Sequence, residues 1–257
     1  MPGAASEAGS VIIVSVLLPM TSLGLPTITS TTVGLATPRA THRFYVVMAT
    51  VVLATVLSGF GHSFGSHAPA RTSVRVAIHA SLFMTWVFLF VTQIALVSAG
   101  NVKMHRRLGV FGAALALVMI ASAPPMAVSA VARGVFPNGV EFLLVILVDI
   151  ALFAVFVGTA IGFRRRPEVH KRLMVLGMIS MLSPAISRWP IAQRHIVVIP
   201  VVLTALIAAT PVFDYLAGRS IRSVSLWGGL GIIVSIPVRF AFAQTPLWHH
   251  IAGWLIS

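Results

Sequence analysis

The sequence predicts an all-α protein, a polytopic membrane bundle of about seven transmembrane helices built on an internal duplicated hairpin. Of its 257 residues, 58% are hydrophobic and only 9% are charged, whereas soluble domains carry about 25% charged residues. The duplication is indicated by His105–Gly112 and His170–Gly177, which are identical at five of eight positions. Each copy begins a long apolar segment, so the repeat predicts two related hairpins at about 76–131 and 140–188.

The chain divides into a polar N-terminal segment and an apolar remainder. Residues 1–42 are rich in Ser, Thr, Gly and Pro, and their apolar run Val11–Leu18 is shorter than the roughly 20 residues of a spanning helix. This predicts a loose or interfacial arm, followed by a single transmembrane domain at 43–257. The predicted spans are 44–61, 76–99, 105–131, 140–163, 170–188, 196–217 and 226–245. We expect Pro124-Pro125 to end the third span early, because proline removes a helical hydrogen-bond donor.

Lys and Arg residues predict the orientation. With the residues before the first span placed inside, twelve lie on the inner side, five lie on the other, and Arg239 lies within the last span. This favours a cytoplasmic inner side and a multi-pass protein of the bacterial inner membrane. The formal net charge of +13 is spread over short loops, so nucleic-acid binding is not predicted. The absence of cysteine excludes disulfides, thiolate catalysis and iron–sulfur clusters.

Histidines are the candidate cofactor ligands. The repeat places His105 and His170 at the same depth on related helices, and two facing imidazoles are what a six-coordinate haem needs. His79 and His195 form a weaker second pair. The alternative is that His105 and His170, each followed by two basic residues, are interfacial anchors that contact lipid phosphates.

Two further patterns carry weaker signals. His62, His67, His249 and His250 lie on the predicted outer side, but they lack nearby carboxylates, so no metal site is predicted. Gly61-His62-Ser63-Phe64-Gly65 matches the nucleophile elbow of serine hydrolases, which needs a strand-to-helix turn that an all-helical membrane domain does not supply. The sequence assigns no catalytic residue, and whether the protein is an enzyme stays open.

Ionisable residues inside spans predict a buried pair. Asp149 and Arg239 lie at similar depths in the fourth and seventh spans, and such groups usually face the bundle interior and pair. We expect a structural pair, with Arg188 as the alternative partner of Asp149. The alternative function for Asp149 is a proton or ion relay.

Residues in several spans and in the C-terminal tail carry a resemblance to a known family: His79, Trp86, Gln93, His105–Gly109, Asp149, Phe153, His170–Leu173, Arg188 and Thr245–Trp248. Through them the chain resembles an uncharacterised family of bacterial polytopic membrane proteins, of the domain-of-unknown-function type, over most of residues 44–257. More distantly, the hairpin with His-Arg-x-Leu-Gly is similar to transmembrane b-type cytochromes, which move electrons between bis-His haems. That resemblance implies haem b, electron transfer and a quinone or redox partner in the bilayer. The other hypothesis is a cofactor-free transporter, channel or structural subunit of a membrane complex.

Overall fold

The computed structural model describes residues 38–66, 73–136, 138–217 and 220–257, and helix is the only regular secondary structure within them. Most of the predicted arm, including Val11–Leu18, lies outside the described residues. The helices are α1 (Pro38–Ser66), α2 (Val74–Ser98), α3 (Val102–Ala132), α4 (Gly139–Gly162), α5 (Pro167–Ser180), α6 (Ser183–Ile186), α7 (Pro190–Arg194), α8 (Val198–Leu216), α9 (Ser223–Ala243) and α10 (Pro246–Ile256).

Within the described residues, six helices are long and apolar enough to cross a membrane, so the chain is a multi-pass membrane protein. Their membrane segments are Arg39–Gly61, Val74–Ser98, Val102–Ala132, Gly139–Gly162, Val198–Leu216 and Ser223–Ala243. Each corresponds to one of the predicted spans within a few residues. A helix is required there because every backbone polar group must be satisfied within the segment once water is excluded.

The predicted fifth span, 170–188, is not one continuous helix, so the described residues contain six long apolar helices and a seventh crossing stays a prediction. Helix α5 ends at Ser180, and α6 ends at Ile186. Ser180 and Ile186 lie four positions before Pro184 and Pro190. In a continuous helix each of their carbonyls would accept a hydrogen bond from the residue four positions later, but proline has no N–H to donate and its ring clashes with that carbonyl. Each proline then lies in the first turn of the next short helix, Pro184 as the second residue of α6 and Pro190 as the first of α7, where its missing N–H costs nothing.

The expectation that Pro124-Pro125 ends the third span is wrong, because α3 continues through both prolines to Ala132. Ala123 and Ala127, on either side of them, are buried against neighbouring helices. Packing on both flanks therefore maintains the helix although two backbone hydrogen bonds are lost.

Helix α4 is the centre of the bundle and packs against α3, α5, α9 and α10. Its side chains Leu143, Phe153 and Ala160 are almost completely buried. Phe153 also meets the edge of Trp86 of α2, with ring centroids 5.1 Å apart. The C-terminal helix α10 returns to the start of α4, where Trp248 Nε1 donates to the Val140 carbonyl at 2.8 Å.

The two copies of the sequence repeat begin helices of unequal length. His105 is the fourth residue of α3 and His170 is the fourth residue of α5, but α3 has 31 residues and α5 has 14. The repeat therefore corresponds to two similar helix starts, and a duplicated hairpin stays a prediction. We call the end of the bundle that carries these two starts the histidine end, and the end where α2 begins and α3 ends the opposite end.

Candidate functional site

The two repeat histidines lie together at the histidine end. The ring centroids of His105 and His170 are 6.4 Å apart, and the ring planes are inclined by 84°. His170 Nδ1 lies 2.8 Å from the carbonyl oxygen of Ala160, near the end of α4. That hydrogen bond fixes the orientation of the His170 ring and makes Nδ1 the protonated nitrogen. The arrangement leaves Nε2 of His170 as the nitrogen with a lone pair.

Unpaired polar atoms surround the His105 side of this pair. His105 Nδ1 and Gln93 Oε1 are buried without a hydrogen-bond partner. Gly109, one turn after His105, faces Gln93: a Cβ at this glycine would lie 3.7 Å from Gln93 Nε2. An unpaired buried polar group is costly, so these atoms are free to bond a ligand or a water molecule.

The weaker pair, His79 and His195, is not brought together by the structure. His79 packs on Phe83 of its own helix, with ring centroids 4.4 Å apart, and lines a cavity between α2 and α3. His195 is exposed at the end of α7, which packs against α8. The two histidines were linked by their predicted side of the membrane, which sets depth but not which helices are neighbours.

Asp149 and Arg239 are in direct contact between α4 and α9. Arg239 Nη1 donates to Asp149 Oδ1 and reaches the Val145 carbonyl at 3.4 Å, and both side chains are buried. Arg188, the alternative partner, instead donates to the Pro184 carbonyl and lies 4.4 Å over the ring of Phe60. The carboxylate of Asp149 is therefore neutralised by Arg239.

Sequence reasoning missed a second buried ion pair, between α5 and α8. Arg172 Nη2 donates to both carboxylate oxygens of Asp214, at 2.7 and 2.8 Å, and the two side chains are 3% and 1% exposed. Asp214 lies inside the predicted span 196–217, and this was the available signal. Arg172 is one of the twelve basic residues of the predicted inner side, so its position in the sequence indicates topology and does not indicate a buried partner.

Glu168 completes this second cluster at the helix start. Its carboxylate accepts from Arg172 Nη1 at 2.5 Å and from Lys171 Nζ at 2.6 Å. Partial burial raises the pKa of Glu168, but the hydrogen bonds from Lys171 and Arg172 outweigh it and lower the pKa to about 2. Glu168 therefore stays ionised and shares Arg172 with Asp214.

The other histidines do not form a described metal centre. His249 Nε2 lies 3.8 Å from Glu141 Oε1 near the starts of α10 and α4. The His62 side chain and His67 lie outside the described part of the chain. Within that part, no group of three or more His, Cys, Asp or Glu residues is placed to hold a metal ion. The Gly61–Gly65 motif falls on the last turns of α1 rather than on a strand-to-helix turn.

These elements define the class: an all-helical, multi-pass membrane protein with a histidine pair at one end and two buried ion pairs between helices. No protein-family model, curated protein or solved structure matches the chain.

Proposed function

We propose that the protein is a membrane electron-transfer protein that holds one haem b between His105 and His170. The observation that carries the proposal is the placement of two imidazoles from different helices at 6.4 Å between ring centroids. A metal atom bound by two imidazoles lies about 2 Å from one nitrogen of each ring. The two rings must therefore lie close together while leaving room for the metal between them. A six-coordinate haem takes one axial nitrogen on each face of the iron.

The hydrogen bonding of the pair fits this role. A histidine that binds a metal usually donates its other ring N–H to a carbonyl or carboxylate, and His170 Nδ1 has this contact with Ala160. His105 Nδ1 is buried without a partner. One nitrogen of each ring is thus available as a ligand.

The charge of the histidine end also favours this group, because haem b carries two carboxylates and the neighbouring side chains are cationic. Six exposed basic residues follow or precede the helix starts: Lys103, Arg106, Arg107, Arg164, Arg165 and Arg166. When bound, the haem would supply one-electron transfer, with a quinone or a redox protein as its partner. The chain's own residues would hold the iron, orient the ring and balance its charge.

The same proposal places the histidine end on the cytoplasmic side of a bacterial inner membrane, because Lys and Arg concentrate there. It includes a seventh crossing made by α5, α6 and α7 together. Two contacts support that crossing. His170 at the start of α5 meets Ala160 at the histidine end, and Trp189 Nε1, after α6, donates to Ser58 Oγ near the end of α1 at 3.0 Å.

Visible spectroscopy of the purified protein tests the proposal. Protein from haem-replete cells should show an intense violet absorbance band and a visible spectrum that changes on reduction. His105→Ala and His170→Ala should each abolish both, and the double variant should add nothing, because each removes one ligand of the same site. His250→Ala is the matched control, since His250 is exposed on α10. A colourless protein that stays colourless after haem is added would contradict the proposal.

A second candidate function, a cofactor-free proton transporter or channel, is favoured by a different observation. Buried polar atoms without partners lie on His79, Trp86 and Gln93 of α2, and on His105 of α3. The three α2 residues are seven positions apart, so they share one face and extend over about 21 Å. Unpaired polar groups in a hydrocarbon layer cost free energy, and a row of water molecules or an ion would supply their missing hydrogen-bond partners.

Proton flux into vesicles separates the two candidates. Reconstituted protein would acidify vesicles under an imposed potential, and Gln93→Leu would block the flux by removing the central polar group. Thr92→Val is the control, because Thr92 neighbours Gln93 but donates to the Phe88 carbonyl of its own helix. Flux from a colourless protein would favour transport over electron transfer.

A further inference from the structure

We propose that the cavity between α2 and α3 at the opposite end of the bundle binds an anionic amphiphile, a molecule with a carboxylate or phosphate head and an apolar tail. The cavity has a volume of about 330 Å³ and is lined by both helices. It lies far from the histidine pair along α2, so the inference does not rest on the proposed haem. Ligand pockets range from about 300 to 1,000 Å³, and this volume suits a head group with the first part of its chain.

The α2 side of the cavity presents a cation and an unpaired imidazole. Arg75 and His79 are one helical turn apart, so their side chains lie on the same face. His79 Nδ1 is buried without a hydrogen-bond partner, and Arg75 is exposed with no ion pair to any described carboxylate. Both groups are suited to an oxygen acceptor that carries negative charge.

The α3 side adds hydroxyl groups and a second cation. Ser122 and Ser129 are two turns apart on the cavity wall. Arg133 donates to Ser129 Oγ, which holds its guanidinium at the same rim. The described lining contains no carboxylate, so the cationic rim has no internal counter-charge.

The remaining wall is apolar and directs the tail. Leu82 lies two turns further into α2 than Arg75 and lines the cavity there, and Met126 lines it from α3. A ligand with its head at Arg75 would therefore place its first methylene groups on these side chains, with the rest of the tail in lipid. The combination of cationic groups and an apolar wall in one cavity distinguishes an amphiphile from a free anion.

Spin-label binding to the full-length protein tests the inference. The protein is placed in nanodiscs of phosphatidylcholine, and the immobilised fraction is measured for spin-labelled stearate, phosphatidate and phosphatidylcholine carrying the same label. We expect at least one anionic probe to be preferred over phosphatidylcholine by about tenfold, as one charge-assisted hydrogen bond implies. Preference for stearate identifies a fatty acid as the ligand, and preference for phosphatidate identifies a phospholipid.

Variants assign the binding to the cavity. Arg75→Gln should reduce the preference about tenfold, and Ser122→Leu should remove it by filling the cavity without changing charge. Arg194→Gln is the control, because Arg194 is an exposed cation at the end of α7, away from the cavity. Helical content measured by circular dichroism confirms that each variant is folded. Equal binding of all three probes, or an equal loss in Arg194→Gln and Arg75→Gln, would overturn the inference.

Discussion

Six ionisable side chains of the described residues form two ion clusters: Asp149 with Arg239, and Arg172 with Asp214, Glu168 and Lys171. The first pair could be predicted because both residues lie deep in apolar runs at similar depths. The second could not, because Arg172 stands at a helix start, where a basic residue is ordinary. Only the packing of α5 against α8 shows that its guanidinium turns inward to Asp214.

Breaking the first pair should be more costly than removing it. Asp149→Asn leaves Arg239 buried without a counter-charge, and we expect a loss of about 3–5 kcal/mol in the free energy of unfolding. Adding Arg239→Gln should restore part of this loss, because no buried charge then remains. Unfolding by denaturant in detergent micelles measures both variants.

The control for this prediction is Glu141→Gln, the same chemical change on the same helix. Glu141 is partly exposed, and its contact with the His249 imidazole is long, at 3.8 Å, so its loss should be within about 1 kcal/mol. If Asp149→Asn and Arg239→Gln destabilise the protein independently and their effects simply add, the pair does not act as a unit.

Acid titration tests the Glu168 cluster. The pKa of Glu168 is lowered from 4.5 to about 2 in the folded protein. A carboxylate with a lowered folded-state pKa stabilises the protein above its unfolded-state pKa, and this contribution is lost as pH falls toward the folded value. Stability should therefore decline between pH 4.5 and about pH 2, and Glu168→Gln should flatten this part of the curve. An unchanged slope in the variant would show that Glu168 is not ionised in the cluster.

At the level of the helices, the position of a proline in the sequence does not decide whether a helix is broken. Pro184 and Pro190 coincide with helix breaks, whereas Pro124, Pro125 and Pro211 lie inside continuous helices. The local chemistry is the same in all of them. The difference comes from packing: α3 is held on both sides of its prolines, while α6 turns to meet α1. Sequence alone therefore located the apolar segments but not which of them is interrupted.

The contact between α1 and α6 depends on a glycine. A Cβ on Gly59 would lie 2.1 Å from the Ala185 carbonyl oxygen, so the two backbones can approach only without a side chain here. We expect Gly59→Ala to destabilise the protein by about 1–3 kcal/mol, as overpacking does. Thermal unfolding followed by circular dichroism measures the change.

Gly61→Ala provides the matched control in the same helix. No described atom lies within 4 Å of a Cβ at Gly61, and alanine is about 1 kcal/mol more favourable than glycine inside a helix. This variant should be neutral or slightly stabilising. Equal losses in both variants would show that the close approach of α1 and α6 does not determine stability.

For the whole molecule, composition was enough to predict an all-helical membrane protein, and six of the predicted spans correspond to long apolar helices. The approach of His105 to His170 follows from two similar helix starts on one side of the membrane. His79 and His195 were paired because they lie on the same predicted side of the membrane. They do not meet because depth in the membrane does not specify which helices are neighbours. The number of membrane crossings depends on α5, α6 and α7. Each of these helices is too short to be recognised as a spanning helix by its length.

Labelling of single introduced cysteines tests that count, helped by the absence of native ones. Arg165 precedes α5 and His195 follows α7, and both side chains are exposed. If this segment crosses the membrane, an impermeant thiol reagent added to intact cells should label His195→Cys but not Arg165→Cys. Labelling of both, or of neither before the cells are opened, would place them on one side and reduce the crossings to six.

The central claim, one haem held between His105 and His170, is tested most directly by electron paramagnetic resonance of the oxidised protein. Two imidazole ligands should give a low-spin ferric signal, and the 84° angle between the ring planes predicts a strongly anisotropic one. His170→Ala should convert or remove that signal, while His250→Ala should leave it unchanged. A protein from haem-replete cells that gives no low-spin signal, or one that keeps the same signal without His170, would contradict the account.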